Sequence, residues 1–155
     1  MTMKPQNDNP ENLEQMLKEK AANGYTLCYT EKCPLREHCL RWMARNMTPQ
    51  TSFVATVVSF CNPQTQTETC PMYRSDQPIR MPLGLSNMYY DMPGHLERSL
   101  KHHLIDHFNR RVYYDYHSAR QPLPPEHEQY IRQAALSFGW HEPLKFNDYV
   151  EKYLW

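Results

Sequence analysis

All five cysteines of this 155-residue chain fall between Cys28 and Cys70. Their spacing is Cys28-x4-Cys33-x5-Cys39-x21-Cys61-x8-Cys70. Thiols gathered in so short a stretch bind a metal, pair with one another, or pack separately as small buried side chains. The chain is long enough to bury an ordinary core without staples. The N-terminal run MTMKPQNDNPENLEQ has no apolar core and no cleavage site of the secretory kind. These features point to the reducing cytoplasm, where clustered thiols bind metal more often than they form disulfides.

Tetrahedral zinc in structural sites takes four ligands, and thiolates at about 2.3 Å are preferred ones. We assign Cys28, Cys33, Cys39 and Cys70 as the ligand set, so that three thiols from one segment are closed by a fourth from a distant return. Cys61 follows a stretch expected to be a buried strand and is left out. His38 is a substitute ligand, although a helical neighbour of Cys39 points about 100° away from it. Four thiolates can also hold an iron–sulfur cluster, the alternative to zinc. In a redox reading, Cys28, Cys33 or Cys39 pair reversibly. The spacings lack the Cys-x2-Cys of common zinc ribbons, and separately buried cysteines stay open as the plain alternative.

Pattern along the chain predicts a mainly α fold. Residues 10–22 read as a short amphipathic helix, with Leu13, Met16 and Leu17 on one face and Gly24 as terminator. Residues 25–33 read as an extended loop. Pro34 suits the first turn of a helix to about Arg45, with Leu35, Cys39, Trp42 and Met43 inward. Ser52–Phe60 (SFVATVVSF) is β-branched and aromatic and predicts a paired strand. Residues 72–93, with three prolines, predict irregular packing. Helices follow at 94–108 and 110–117, and again from Pro124-Pro125-Glu126 to Gly139. A last short helix is expected over FNDYVEKYLW at 146–155. The expected organisation is a tail and helix (1–24), a cysteine-rich lobe with a short strand or two (25–80), and a C-terminal bundle of short helices (81–155) against which that lobe packs.

Other chemistry is sparse. Seventeen basic and seventeen acidic residues cancel, so no global charge draws the chain to nucleic acid or an anionic membrane. No apolar run approaches the ~20 residues that span a bilayer. His102, His103 and His107 lack the glutamate of a zinc-protease helix and a third ligand, which favours a solvated face. Four glycines form no phosphate loop. An enzyme is not expected. A helix-turn-helix-like reading places Arg98, Lys101, Arg110, Arg111 and Arg120 on DNA phosphates, with Tyr113, Tyr114 and Tyr116 stacking or touching the backbone. Glu97, Asp106 and Asp115 dilute that patch.

The run Cys-Pro-Leu-x3-Cys-Leu-Arg at 33–41, Cys70-Pro71, Tyr113-Tyr114, Pro122-Leu123 and the terminal FNDYVEKYLW resemble a family of uncharacterised bacterial proteins over about 28–155. The resemblance implies architecture and no activity. It also implies a non-thiol at position 61 and an Arg-rich, Gly-containing turn after the Tyr pair, where this chain has Asp115, His117, Ser118 and Ala119. The leading expectation is a non-enzymatic cytoplasmic protein with a structural four-cysteine zinc site, acting as a binding or regulatory module. A DNA-binding regulator using residues 98–120 and a thiol redox protein are the alternatives. The sequence identifies no partner; another protein and duplex DNA are the candidates, and no membrane is expected.

Overall fold

The structure, a computed structural model, describes residues 5–155. It is mainly helical, with one two-stranded sheet. The elements are α1 (Leu13–Ala22), α2 (Leu40–Met43), β1 (Ile79–Leu83), α3 (Gly94–Phe108), α4 (Arg110–His117), α5 (Pro125–Ser137) and β2 (Asp148–Lys152), joined by short 3₁₀ turns. The chain divides into two compact units. One holds Asp8–Ile79 and the last three residues, Tyr153–Trp155; the other holds Arg80–Lys152 and residues 5–7. No helix among the described residues is long and apolar enough to cross a membrane.

The helices form where local signals agree. Asn9 accepts from the Glu11 N–H to open a 3₁₀ turn that runs into α1. At its far end Tyr25 N–H reaches the Lys20 carbonyl while Gly24 takes φ +81°, a left-handed cap that glycine adopts without strain. Leu17 and Ala21 of α1 meet Leu27, Leu40, Ala44 and Tyr153 in the core of the cysteine-bearing unit. Trp155 stands edge-on to Tyr25 there, at 5.6 Å between ring centres.

In the other unit Leu100, Leu104 and Phe108 carry one face of α3 into a core shared with Tyr113, Tyr116, Leu123 and Ile131. A single residue joins α3 to α4: Asn109, at φ +65°, whose side chain accepts from the Val112 N–H. α5 ends in paired bonds from Gly139 to Leu136 and from Trp140 to Ala135, the glycine being at φ +91°. β1 and β2 pair, and Gly84 beyond β1 bonds through its carbonyl to the Asn147 N–H.

Four local expectations are overturned, each by whether a segment distant in sequence offers a pairing partner. The stretch 146–155 is not a helix: Asp148–Lys152 is β2, because β1 offers it an edge. Within 72–93, expected to be irregular, Ile79–Leu83 is that partner strand. Ser52–Phe60 is not a paired strand. It makes one bridge, Leu27 to Val57, and only Val58 of it is buried. The helix expected over 34–45 is broken, since Cys39 is extended (φ −107°, ψ 117°) to pair with Ser75, and the Leu40 N–H bonds to the Arg74 carbonyl. As a result Leu40, Arg41 and Ala44 face inward, while Leu35, Trp42 and Met43 are only half-buried.

Candidate metal centre

Four of the five thiols converge. Cys28, Cys33, Cys39 and Cys70 line one apolar cavity of about 10 Å³, with Leu35, Arg41, Val58, Thr65, Met72 and Tyr73 completing its wall. That volume is about one water-sized sphere. Cys28 and Cys39 are buried, and Cys33 and Cys70 are half-buried. Cys61 is exposed and takes no part in the lining. No disulfide joins any of the five. Among the described residues, no group of three or more His, Cys, Asp or Glu side chains stands in metal-ligand geometry. The thiols thus surround a common space without being drawn in to coordination distance.

Main-chain pairing delivers each cysteine to the cavity. The Cys28 N–H bonds to the Arg41 carbonyl at 3.0 Å, beside the Leu27–Val57 bridge. Cys39 is fixed by its bridge to Ser75. Cys33 and Cys70 each close a tight turn, their N–H groups reaching the Thr30 and Thr67 carbonyls. The return from the exposed stretch is a 3₁₀ turn, Pro63–Gln66, capped by Asn62. Its buried Thr65 hydroxyl serves the Ser59 and Asn62 carbonyls.

Arg41 ties these segments together. The side chain is only 7% exposed, yet it donates to neutral acceptors: Nε to the Met72 carbonyl at 2.9 Å and Nη1 to the Thr26 carbonyl at 3.0 Å. Thr26 lies two residues before Cys28, and Met72 lies two after Cys70. The guanidinium also sits 4.7 Å from the centre of the Tyr25 ring. Burial pushes the Tyr25 phenol above its ordinary range, with Arg41 and Arg74 pulling it back and Cys39 pushing it further up. The Tyr25 hydroxyl and the Arg74 Nε are buried without a hydrogen-bond partner. Among the described residues, no carboxylate bonds to Arg41. A buried cation held only by carbonyls and a ring face is costly, and it favours an anionic neighbour. In the sequence Arg41 is marked only as the last residue of the Cys-Pro-Leu-x3-Cys-Leu-Arg run; its burial is not, because a basic residue two positions past a cysteine in a helical pattern reads as solvated.

The model of the Family of unknown function (DUF6078) matches residues 9–155. The chain belongs to that family. No curated protein and no solved structure matches it. Membership in DUF6078 agrees with the resemblance to an uncharacterised family and assigns no chemistry to the cysteines.

None of the other sequence-nominated residues of this DUF6078 chain lines the cavity. His38 is exposed and pairs through Nδ1 with Asp76 Oδ2 at 3.0 Å. Arg98, Arg110, Arg111 and Arg120 are exposed, and Lys101 is half-buried. Arg120 pairs with Asp115 at 3.3 Å, while Lys101 and Arg110 flank the Tyr114 ring. Tyr113 and Tyr116 are core residues, 0% and 4% exposed, so the role of touching DNA is withdrawn for both. Their hydroxyls bond inward, Tyr113 to Tyr89 at 3.0 Å and Tyr116 to His127 Nδ1 at 2.7 Å. Burial pushes the Tyr113 phenol up to about 12. The one-residue joint at Asn109 also differs from the 3–4-residue turn of a helix-turn-helix. His103 and His107 serve packing: Tyr130 bonds to His103 Nε2 at 2.8 Å and stacks on His107 at 3.6 Å.

Proposed function

We propose that this chain is a non-enzymatic binding or regulatory module. Its cysteine-bearing unit is stapled by one zinc ion on Cys28, Cys33, Cys39 and Cys70, and it works in the cytoplasm. The supporting observation is that these four thiols, and not Cys61, line one cavity. Binding would draw the four sulfurs in to the ~2.3 Å of a zinc–thiolate bond. The small cavity favours a single ion over an iron–sulfur cluster, which needs room for several metal and sulfide atoms. Four thiolates around a divalent ion carry excess negative charge, which the buried Arg41 would offset. With four protein ligands, no position stays open for a catalytic water, so the ion's work is to hold three chain segments together.

Elemental analysis of chain purified without oxygen tests this. One zinc per chain is expected, lost in Cys33→Ser and in Cys70→Ser and kept in Cys61→Ser. A folded wild-type chain without metal, or an iron-containing chain with a visible absorption band, refutes the zinc assignment.

A further inference from the structure

The segment 52–60, expected as a paired strand, carries the most exposed large apolar side chain among the described residues. Phe53 is 102% exposed, Val54 87%, Phe60 69% and Val57 45%. Among the described residues, the main-chain N–H and C=O groups of Phe53, Val54 and Ala55 make no hydrogen bonds. At the single bridge, the Thr56 carbonyl and the Val58 N–H turn toward Leu27. The N–H and C=O of Val57 therefore face the other way, as alternate residues of a strand do. Here β-branched and aromatic residues present an open strand edge to water.

We propose that this edge is where two copies of the chain pair, strand to strand, in an isologous dimer centred near Val57. Charge selects the occupant. From Asn46 to Thr67 there is no Asp, Glu, Lys, Arg or His. Exposed edges are ordinarily guarded by charges or prolines that penalise self-association, and 50–62 carries neither. In an isologous interface the same patch meets itself, so any charge would repel its own copy. This run imposes no such cost, and it has no charge with which to recognise a charged partner. Strand pairing joins main-chain groups and covers only the flanks of side chains that alternate between the two faces, which places the interface below the ~1,200–2,000 Å² of standard specific interfaces. Such an area fits a dimer that forms and dissociates with concentration.

The test is sedimentation velocity of the whole chain from about 1 to 500 µM, with Val54→Lys, Val57→Lys and Val57→Glu. Circular dichroism melts check that the variants fold; the Val54 side chain is almost wholly solvated, so its replacement leaves the fold intact. The wild type is expected to pass from monomer to dimer, and Val54→Lys to raise the dissociation constant at least tenfold. Val57→Lys and Val57→Glu are each expected to be monomeric and to associate when mixed, because the two-fold places these positions against each other. A wild type that stays monomeric throughout, or a Val54→Lys chain that dimerises unchanged, overturns the proposal. So does a monomer that instead binds neutral phosphatidylcholine vesicles, since a lipid surface would then be the occupant. The outcome is independent of zinc content.

Discussion

Replacing Arg41 by methionine isolates what the buried guanidinium does. Methionine keeps an unbranched stem of similar reach, so the change removes two donors and a charge and creates little cavity. The Met72 and Thr26 carbonyls lose bonds of 2.9 and 3.0 Å to a cation. Hydrogen bonds to charged groups contribute about 1.5–3 kcal/mol each, so the gross loss is about 3–6 kcal/mol. The wild type also carries the cost of keeping a charge out of water, several kcal/mol per ion, which methionine relieves in part. The two effects leave a net destabilisation of about 2–3 kcal/mol, a large share of the stability of a unit this size. Arg41→Lys keeps the charge and can keep one of the two carbonyl bonds, and should lose about half as much. The assay is urea unfolding of the cysteine-bearing unit, followed by hydrogen exchange at Cys28 and Leu40, together with the rate at which a thiol reagent reaches the buried Cys28 and Cys39. Arg41→Met should lower the unfolding midpoint and speed both thiols. An unchanged midpoint with both thiols still protected would show that the carbonyl bonds are not what organises the cavity.

Two further predictions concern the other unit. A Cβ at Gly84 would lie 2.8 Å from the Asn147 Cβ and Cγ, on backbone at φ +81°. Because Asn147 is held by Asn87 and Ser86, it has little room to move. Gly84→Ala should therefore cost about 1–3 kcal/mol, seen as a lower melting temperature, and a melting point equal to the wild type would refute the close approach. His117 is held below its ordinary pKa of 6.5, first by burial and then by Lys101, with Glu97 opposing. As pH falls below 6.5 the unfolded chain takes up this proton before the folded one, so stability declines through that window and is fully recovered above it. His117→Gln should lose less stability than the wild type between pH 7.5 and 5.5, and equal losses would refute the assignment.

The sequence by itself determined the elements whose signals lie within a few residues of one another. α1, α3, α4 and α5 were legible because apolar period, charge placement and capping residues such as Gly24 and Gly139 act locally. Cys61 differed from its fellows only by its neighbourhood, and the neighbourhood expected for it, a buried strand, is not the one it has. Where extended backbone was concerned the sequence was insufficient, since a strand exists only if another segment offers an edge. FNDYVEKYLW, expected as a helix, is rich in strand-favouring aromatic residues, and Asp148–Lys152 becomes β2 because β1, some 65 residues earlier, supplies that edge. SFVATVVSF has the composition of a strand and finds only Leu27. Cys39 left the helical pattern because Ser75 pairs with it. The same long-range pairing turned Arg41 inward and set Cys28, Cys33, Cys39 and Cys70 around one space. Residue types could nominate those thiols, but only tertiary contacts between Thr26, Arg41 and Met72 could bring them together.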